Sequence, residues 1–427
     1  AEPMHIAFVD SNPAALEAIR LAKEAGHRVT YLQSADPFYP PTERNLRIVG
    51  SVDHLVDNLV TTDAATVTRV LAARHAADPI DVVTAQLELS AEAVAVACRE
   101  LGLRGTATDG VLTARRKDRC RAALDEAGLA SARHALAETE EAALAAAEEI
   151  GYPVILKPPS GADSLLSYVA TNPEEAAAGC RGVLTGLDAV PVQWHEQFTR
   201  GILVEEYLVG TLVSVELGAK DGEFFPFAVS GRFRWAEDEV VELGSYIPAA
   251  LSEEQTGACV AYAADVCRAI GLDLGVFHLE IMVTERGPVL VEVNPRVMGG
   301  ALPTIYRHAT GADIFSGLLA ILEPGAEVAL PGTLDGCVGG RKVMARDGGT
   351  LAPGASLDRI ADLPGVLEVV GFDSYGTGPG RTVNAGQIVA RFMLRGPDHP
   401  SVVRTAEQIL RRLEEDLGIA LMIGEKD

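Results

Sequence analysis

The segment 275–300, GVFHLEIMVTERGPVLVEVNPRVMGG, constrains the fold of this chain more than any other. Two runs of Val, Leu and Ile read as apolar strands, and Glu285 to Gly287 reads as the turn that joins them. Glu280 lies in the first run, Glu292 and Asn294 in the second. Residues two apart on a strand share a face, so Glu292 and Asn294 point the same way. A suitable pairing brings Glu280 beside them. Carboxylates inside apolar strands are costly unless they are paired or bound to a cation. Other elements must therefore cover this hairpin, and a cation must answer it. Three oxygen-bearing side chains suit Mg²⁺ (or Mn²⁺), with phosphate oxygens completing the shell. Arg296 follows two residues later, placed to contact an anion.

The rest of the chain, 427 residues in all, has room for two to four domains at about 100–200 residues each. Buried strands are predicted at 4–9, 28–32 and 81–85, with helices at 13–25 and 90–101. That alternation implies a parallel, doubly wound layer up to about residue 110. The stretch 34–45 (SADPFYPPTERN) is rich in turn residues and is expected to be irregular. From 111 to 330 the expected helices are 111–127, 138–150, 173–186 and 253–270. The expected strands there are 154–157, 166–170, 201–207, 211–219, 223–230, 274–283 and 288–293, an α+β block with mostly antiparallel pairing. A third block, 331–427, opens on Pro331 and Gly332 and closes on a helix at about 400–416.

Composition narrows the partners. Hydrophobic residues make up 48% and charged residues 22%, so the chain is globular rather than disordered. A net charge of −24 argues against nonspecific nucleic-acid binding and against a basic membrane surface. A phosphate ligand would need a few cations and a metal to make a local positive field. No apolar run reaches the about 18–20 residues that span a bilayer. The N-terminus lacks the pattern of a signal peptide. Met4 reads as the natural start, Ala1 to Pro3 as an added stub, and the cytoplasm as the expected compartment. The cysteines at 98, 120, 180, 259, 267 and 337 form no C-x-x-C pair and are expected to be buried and reduced.

Further segments carry chemistry. Lys117 opens a predicted helix, and Lys157 ends the strand YPVILK before a small polar turn, SGADS (Ser160 to Ser164). Backbone N–H groups of such a turn can cradle oxygens while the ammonium supplies charge. The order is not that of a Walker P-loop. The run ILVEEYLVGTLVSVE places Glu205, Glu206, Tyr207 and Leu208 at a strand end before a Gly210 turn, where a backbone edge can read an adenine ring. The mixed segment 231–248 is expected to be a substrate-pocket loop. Gly299 and Gly300 leave room for a large substrate group, so a tryptophan at position 300 should narrow substrate range.

In this order the pieces resemble the ATP-grasp superfamily, and most closely its carboxylate–amine ligases of the L-amino-acid ligase (dipeptide synthetase) type. The resemblance runs from about residue 4 to about 416, and E…E-x-N-x-R is its most specific part. It implies a mixed α/β and α+β architecture: a βαβ N-terminal domain (1–110), an ATP-grasp domain (111–330) with a mobile lid at about 130–205, and a small C-terminal domain (331–427). It implies that Lys117 and Lys157 contact the phosphates of ATP, that the backbone of Glu205 to Leu208 reads adenine, and that Ser160 to Ser164 form the lid turn. Glu280, Glu292 and Asn294 would bind Mg²⁺, and Arg296 would stabilise the transferred phosphate. His278, Glu216 and Glu88 would face the substrate. A homodimer acting on amino acids or small carboxylic acids is the expectation. Many relatives carry a ribose-binding acid where this chain has Leu212, so ribose is expected to be held from elsewhere or more weakly. The glycine-poor SGADS turn and the VMGG after Arg296 set the chain apart from biotin carboxylases. Alternative readings are a biotin-carboxylase-like or purine-pathway ligation, or an ATP-binding regulatory module without turnover.

Overall fold

The structure is a computed structural model that describes residues 2–426; Ala1, part of the stub read above, lies outside them. Four parallel strands come first: β1 (His5–Ser11), β2 (Arg28–Ser34), β3 (His54–Leu59) and β4 (Val82–Gln86), in the order β3-β2-β1-β4. The three buried strands are those the apolar runs predict. β3 and the helix Ala64–Ala77 escape sequence reading for a physical reason. β3 is an edge strand with exposed positions, and the helix buries only Val67, Val70 and Leu71. The stretch expected to be irregular ends early, because Thr42 caps a helix at Glu43–Val49 by accepting from the Asn45 N–H.

The predicted helix 111–127 is two helices, Thr108–Ala114 and Lys117–Glu126. At the break the N–H of Lys117 donates to the Pro159 carbonyl at 2.8 Å, which ties this corner to the turn after the next strands. Those strands form a separate antiparallel sheet of β5 (His134–Ala137), β6 (Val154–Lys157), β7 (Tyr168–Ala170) and β8 (Ile202–Glu206), in the order β5-β8-β6-β7. The helices Glu140–Ile150 and Pro173–Thr185 bury their apolar faces on it.

The third sheet has eight strands. It contains β9 (Thr211–Lys220), β10 (Glu223–Arg234), β11 (Glu242–Ile247), β12 (Gly275–Thr284), β13 (Gly287–Asn294) and β14 (Cys337–Met344). After a small ribbon strand β15 (Gly349–Thr350) come β16 (Val366–Val370), the ribbon's second strand β17 (Thr382–Val383), and β18 (Ile388–Gly396). The order is β13-β12-β9-β10-β11-β14-β18-β16. One expectation is corrected here. The segment 231–248 is no loop: β10 and β11 occupy most of it, only 235–241 connects them, and Tyr246 is core. The block from 331 joins the same sheet, since β14 pairs with β11 through Gly244↔Arg341 to Ile247↔Val338.

The helix Glu253–Ile270 has a Ser252–Gln255 capping box and buries Cys259, Ala263, Val266, Cys267 and Ile270 in a core shared with β9 and β12. Another cluster packs Ile6, Phe8 and Ile19 of the first domain against Val297, Met298, Ile305 and Tyr306. Each large aliphatic fully buried there contributes about 1.5–3 kcal/mol, so the segment just after Arg296 is firmly held. The last residues return to the big sheet: Trp235 bridges to Glu425, and the buried Arg341 donates to the carbonyls of Met422 and Ile423. All six cysteines are buried and unbridged, as expected. Among the described residues no helix is long and apolar enough to cross a membrane.

Candidate active site

The β12–β13 hairpin sets Glu280 directly opposite Glu292, and His278 directly opposite Asn294. The face sharing read from the sequence therefore holds, and the turn is the two residues Glu285 and Arg286. On the other flank β9 sets Ser214 opposite Glu280 and Glu216 opposite His278. Opposed carboxylates repel, and nearby nitrogen groups, two from other elements and one from β12 itself, answer them. The Lys117 ammonium lies 3.2 Å from Glu292, while Arg232 and His278 Nε2 lie 4.0 and 3.9 Å from Glu280. Burial would raise the Glu292 carboxyl, but Lys117 and Lys157 outweigh it and hold the pKa at about 2. The same burial disfavours the Lys117 ammonium and lowers its pKa. Among the described residues no three His, Cys, Asp or Glu side chains gather as a metal site. The donor set here is two carboxylates and the Asn294 amide, hard oxygen ligands that fit a divalent cation sharing phosphate oxygens.

Two cavities meet at this wall, sharing Glu280 and Glu242. The smaller, about 200 Å³, lies between the four-stranded sheet of β5 to β8 and the big sheet. Lys157, Ser164 and the run Glu205 to Leu208 line it, and so does Leu212. Two acids the sequence reading did not single out, Glu239 and Glu242, line it as well. The Glu205 side chain is buried, paired with Arg121 and with Lys157 at 2.6 Å. Burial would raise this carboxyl too, but the two cations hold its pKa at about 2. It fixes the lysine rather than facing a ligand. Glu206 is held by Arg286. Gly210, in the following turn, adopts φ +155°, and a Cβ there would sit 2.1 Å from the Val283 carbonyl oxygen.

The larger cavity, about 450 Å³, is lined by His278, Glu280, Arg296, Gly299 and Gly300 among others. Gly299 has space for a side chain, its nearest neighbour being Asn12 at 3.7 Å. Gly300 sits at φ +59°, so a substitution there is strained whatever the space. Arg296 is clasped by the buried Glu88, with Nη2 to Oε1 at 3.3 Å and a second bond through Nε. Glu88 thus positions Arg296 from the start of the helix Glu88–Leu101.

Besides Glu88, which is buried against Arg296 and does not line the cavity, two expected residues lie elsewhere than predicted. Glu216 is wholly buried and does not reach the cavity; it accepts from His278 Nδ1, which leaves Nε2 directed at Glu280. Burial lowers the His278 pKa, but the Glu216 charge overrides it and the value rises to about 9. Ser160 is likewise fully buried, donating to the Arg115 carbonyl at 2.6 Å, so only the far end of the lid turn is open.

Three further side chains went unread. Arg115, buried, straps the turn down through Gly161 and Gln197 at 3.0 and 2.8 Å. Tyr39 reaches from the first domain to Asp163 of the lid turn at 2.7 Å. Asn12, at the carboxyl end of β1, is 5% exposed, and its Oδ1 accepts from the Ala15 N–H at 2.9 Å. That bond fixes the amide and leaves Nδ2 a buried donor without a partner on the larger cavity. Carboxyl ends of parallel strands are where open α/β sheets bind ligands, and an SNP turn after a buried strand was the available signal.

The comparisons with known proteins agree with this geometry. Residues 150–305 match the model of the ATP-grasp domain, and residues 19–105 that of the ATP-grasp N-terminal domain. The chain is 31% identical over 269 residues to alanine–anticapsin ligase of Bacillus subtilis (strain 168), covering 60% of this chain and 57% of the relative. It is 30% identical over 265 residues to alanine–anticapsin ligase of Bacillus amyloliquefaciens, covering 59% of this chain and 56% of the relative. The match thus spans little more than half the length of these curated relatives. The crystal structure of an L-amino acid ligase from Bacillus licheniformis superposes with a TM-score of 0.73 over 100% of both chains, at 19% identity. The chain is an ATP-grasp domain protein related to the alanine–anticapsin ligases, with the fold of that L-amino acid ligase.

Proposed function

We propose that this chain is an ATP-dependent, ADP-forming ligase that joins a carboxylate to an amine, both amino acids or small carboxylic-acid compounds, through an acyl-phosphate. The observation that carries it is Glu280, on the wall where the two cavities meet, set directly opposite a Glu292 that the Lys117 ammonium holds. The kinship with alanine–anticapsin ligases supports it.

In this reading ATP occupies the smaller cavity. The backbone of Glu205 to Leu208 reads the adenine edge, and Glu239 or Glu242 takes the ribose hydroxyls that Leu212 cannot. Lys117 and Lys157 meet the phosphates, each already steered by a carboxylate. Glu280, Glu292 and Asn294 would hold Mg²⁺ or Mn²⁺, which when bound offsets phosphate charge. A substrate carboxylate in the larger cavity attacks the γ-phosphorus and ADP departs. Positioning and electrostatics supply the rate in such transfers. Arg296, oriented by Glu88, faces the acyl-phosphate and the oxyanion that forms as the amine attacks its carbonyl. His278 presents Nε2 to the same cavity, braced by Glu216. The roof formed by Tyr39 and Asp163 excludes water that would hydrolyse the acyl-phosphate.

The test is phosphate release from ATP and Mg²⁺ against a matrix of amino acids and carboxylic acids, with mass spectrometry of the positive wells. A product equal in mass to two substrates less water is expected. Phosphate release that requires bicarbonate, or ATP binding with no release across the matrix, would overturn the reading.

A further inference from the structure

The wall of the larger cavity furthest along the sheet from Glu280 carries charge that nothing so far accounts for. Lys342 of β14 and Arg391 of β18 lie directly opposite each other in the antiparallel pair, and both line the cavity. Like charges so placed destabilise a sheet. The Lys342 ammonium touches only the Glu242 backbone carbonyl, at 3.2 Å, and Arg391 has no ion-pair partner among the described residues. Glu242, the nearby acid, is drawn to Arg232 at 2.8 Å. Arg232, which also reaches Glu280 at 4.0 Å, takes the Glu242 carboxylate, so Lys342 and Arg391 are two positive charges without an ion-pair partner among the described residues on this wall. The chain as a whole carries −24, so the excess is local. On the same cavity the buried Nδ2 of Asn12 is a further donor without an acceptor.

We propose that one of the two substrates is acidic, and that its carboxylate or phosphate, additional to the α-carboxylate of an ordinary amino acid, is received by Lys342 and Arg391. This rests on the ligase reading for what happens at the other end of the cavity. The anion site itself stands on the pairing of the two cations. A bidentate carboxylate or a phosphate is what such a pair accepts well.

The test is calorimetric titration of the full chain, with Mg²⁺ and ADP present, using matched probes: L-glutamate against L-glutamine, and O-phospho-L-serine against L-serine. The acidic member of at least one pair should bind about tenfold or more tighter than its neutral partner. The pair that discriminates tells carboxylate from phosphate. Lys342→Met and Arg391→Gln, each checked for fold by circular dichroism, should each shrink that ratio. Equal binding of acidic and neutral probes overturns the proposal, as does a preference that survives both substitutions. The ligation matrix separates the two readings. Turnover with neutral amino acids alone keeps the ligase and removes the anion site. Charge-selective binding without turnover keeps the anion site and removes the ligase.

Discussion

Near one end of the eight-stranded sheet Glu280 lies straight across from Glu292; towards the other end Lys342 lies straight across from Arg391. Both are like-charge pairs on neighbouring antiparallel strands. The first is answered within the chain, because Lys117 and Arg232 come from other elements, and His278 from the same strand, to meet it. The second is not answered, since its nearby acid is taken by Arg232. A like-charge pair with internal counter-ions is a preorganised site that can exchange one cation for another. A like-charge pair without them draws in an ion from outside.

The largest effect should come from breaking the answered pair. Glu292→Gln keeps the shape and removes one charge, and it should abolish ADP formation, by about a thousandfold or more, in a protein that still folds. Turnover close to that of the parent would remove Glu292 from the metal site. Next, Arg391→Glu converts the unanswered pair into an ion pair with Lys342. Thermal denaturation should show a gain of about 0.5 kcal/mol, as cross-strand opposite charges give. Binding of the acidic probe should fall by about a hundredfold as the sign of the wall changes. An unchanged melting temperature together with unchanged binding would show that the two side chains do not sense each other. Third, Asn12→Asp keeps the acceptor for the Ala15 N–H and removes the free donor. It should raise the KM of the substrate in the larger cavity about tenfold, the scale of one lost hydrogen bond to a charged group. A KM equal to the parent's would place that substrate away from β1.

The smallest effect concerns the returning tail. Burial raises the Glu425 carboxyl from its ordinary 4.5 to about 7, although Arg341 works against the rise. The folded protein therefore holds a proton there that the unfolded chain releases at lower pH. The resulting penalty on stability is absent below pH 4.5, grows as pH rises, and is complete above about pH 7. Glu425→Gln should raise the melting temperature at pH 8 by on the order of 1–2 °C, and the gain should shrink as pH falls toward 5. A gain independent of pH would show that packing, not charge, limits the tail.

What the sequence made legible follows from where side chains are buried on both sides. The strands flanking Glu280 and Glu292 are near-continuous apolar runs, so their pairing and shared face could be read directly. β3 and the helix Ala64–Ala77 are half exposed and carry too faint a pattern to read. At the site, residues at strand ends and turns announced themselves: Lys157, the Glu205 to Leu208 run, Arg296, Gly299. The supporting contacts did not. Whether Glu216 faces a cavity or holds His278 depends on a third strand, and no spacing along one segment encodes it. Asn12, Lys342 and Arg391 come from three distant parts of the chain and become neighbours of one cavity only after the sheet has formed.

Because β14, β18 and β16 extend the same sheet that carries the hairpin, the segment after residue 331 is not a detachable module. A chimera with a relative that exchanges only this segment would splice two unrelated hydrogen-bond registers at β11, and would bring a foreign residue to position 342 beside a resident Glu242. Exchanges meant to transfer substrate preference should therefore move β9 to β18 as one cassette, with the junction in the turn between β8 and β9.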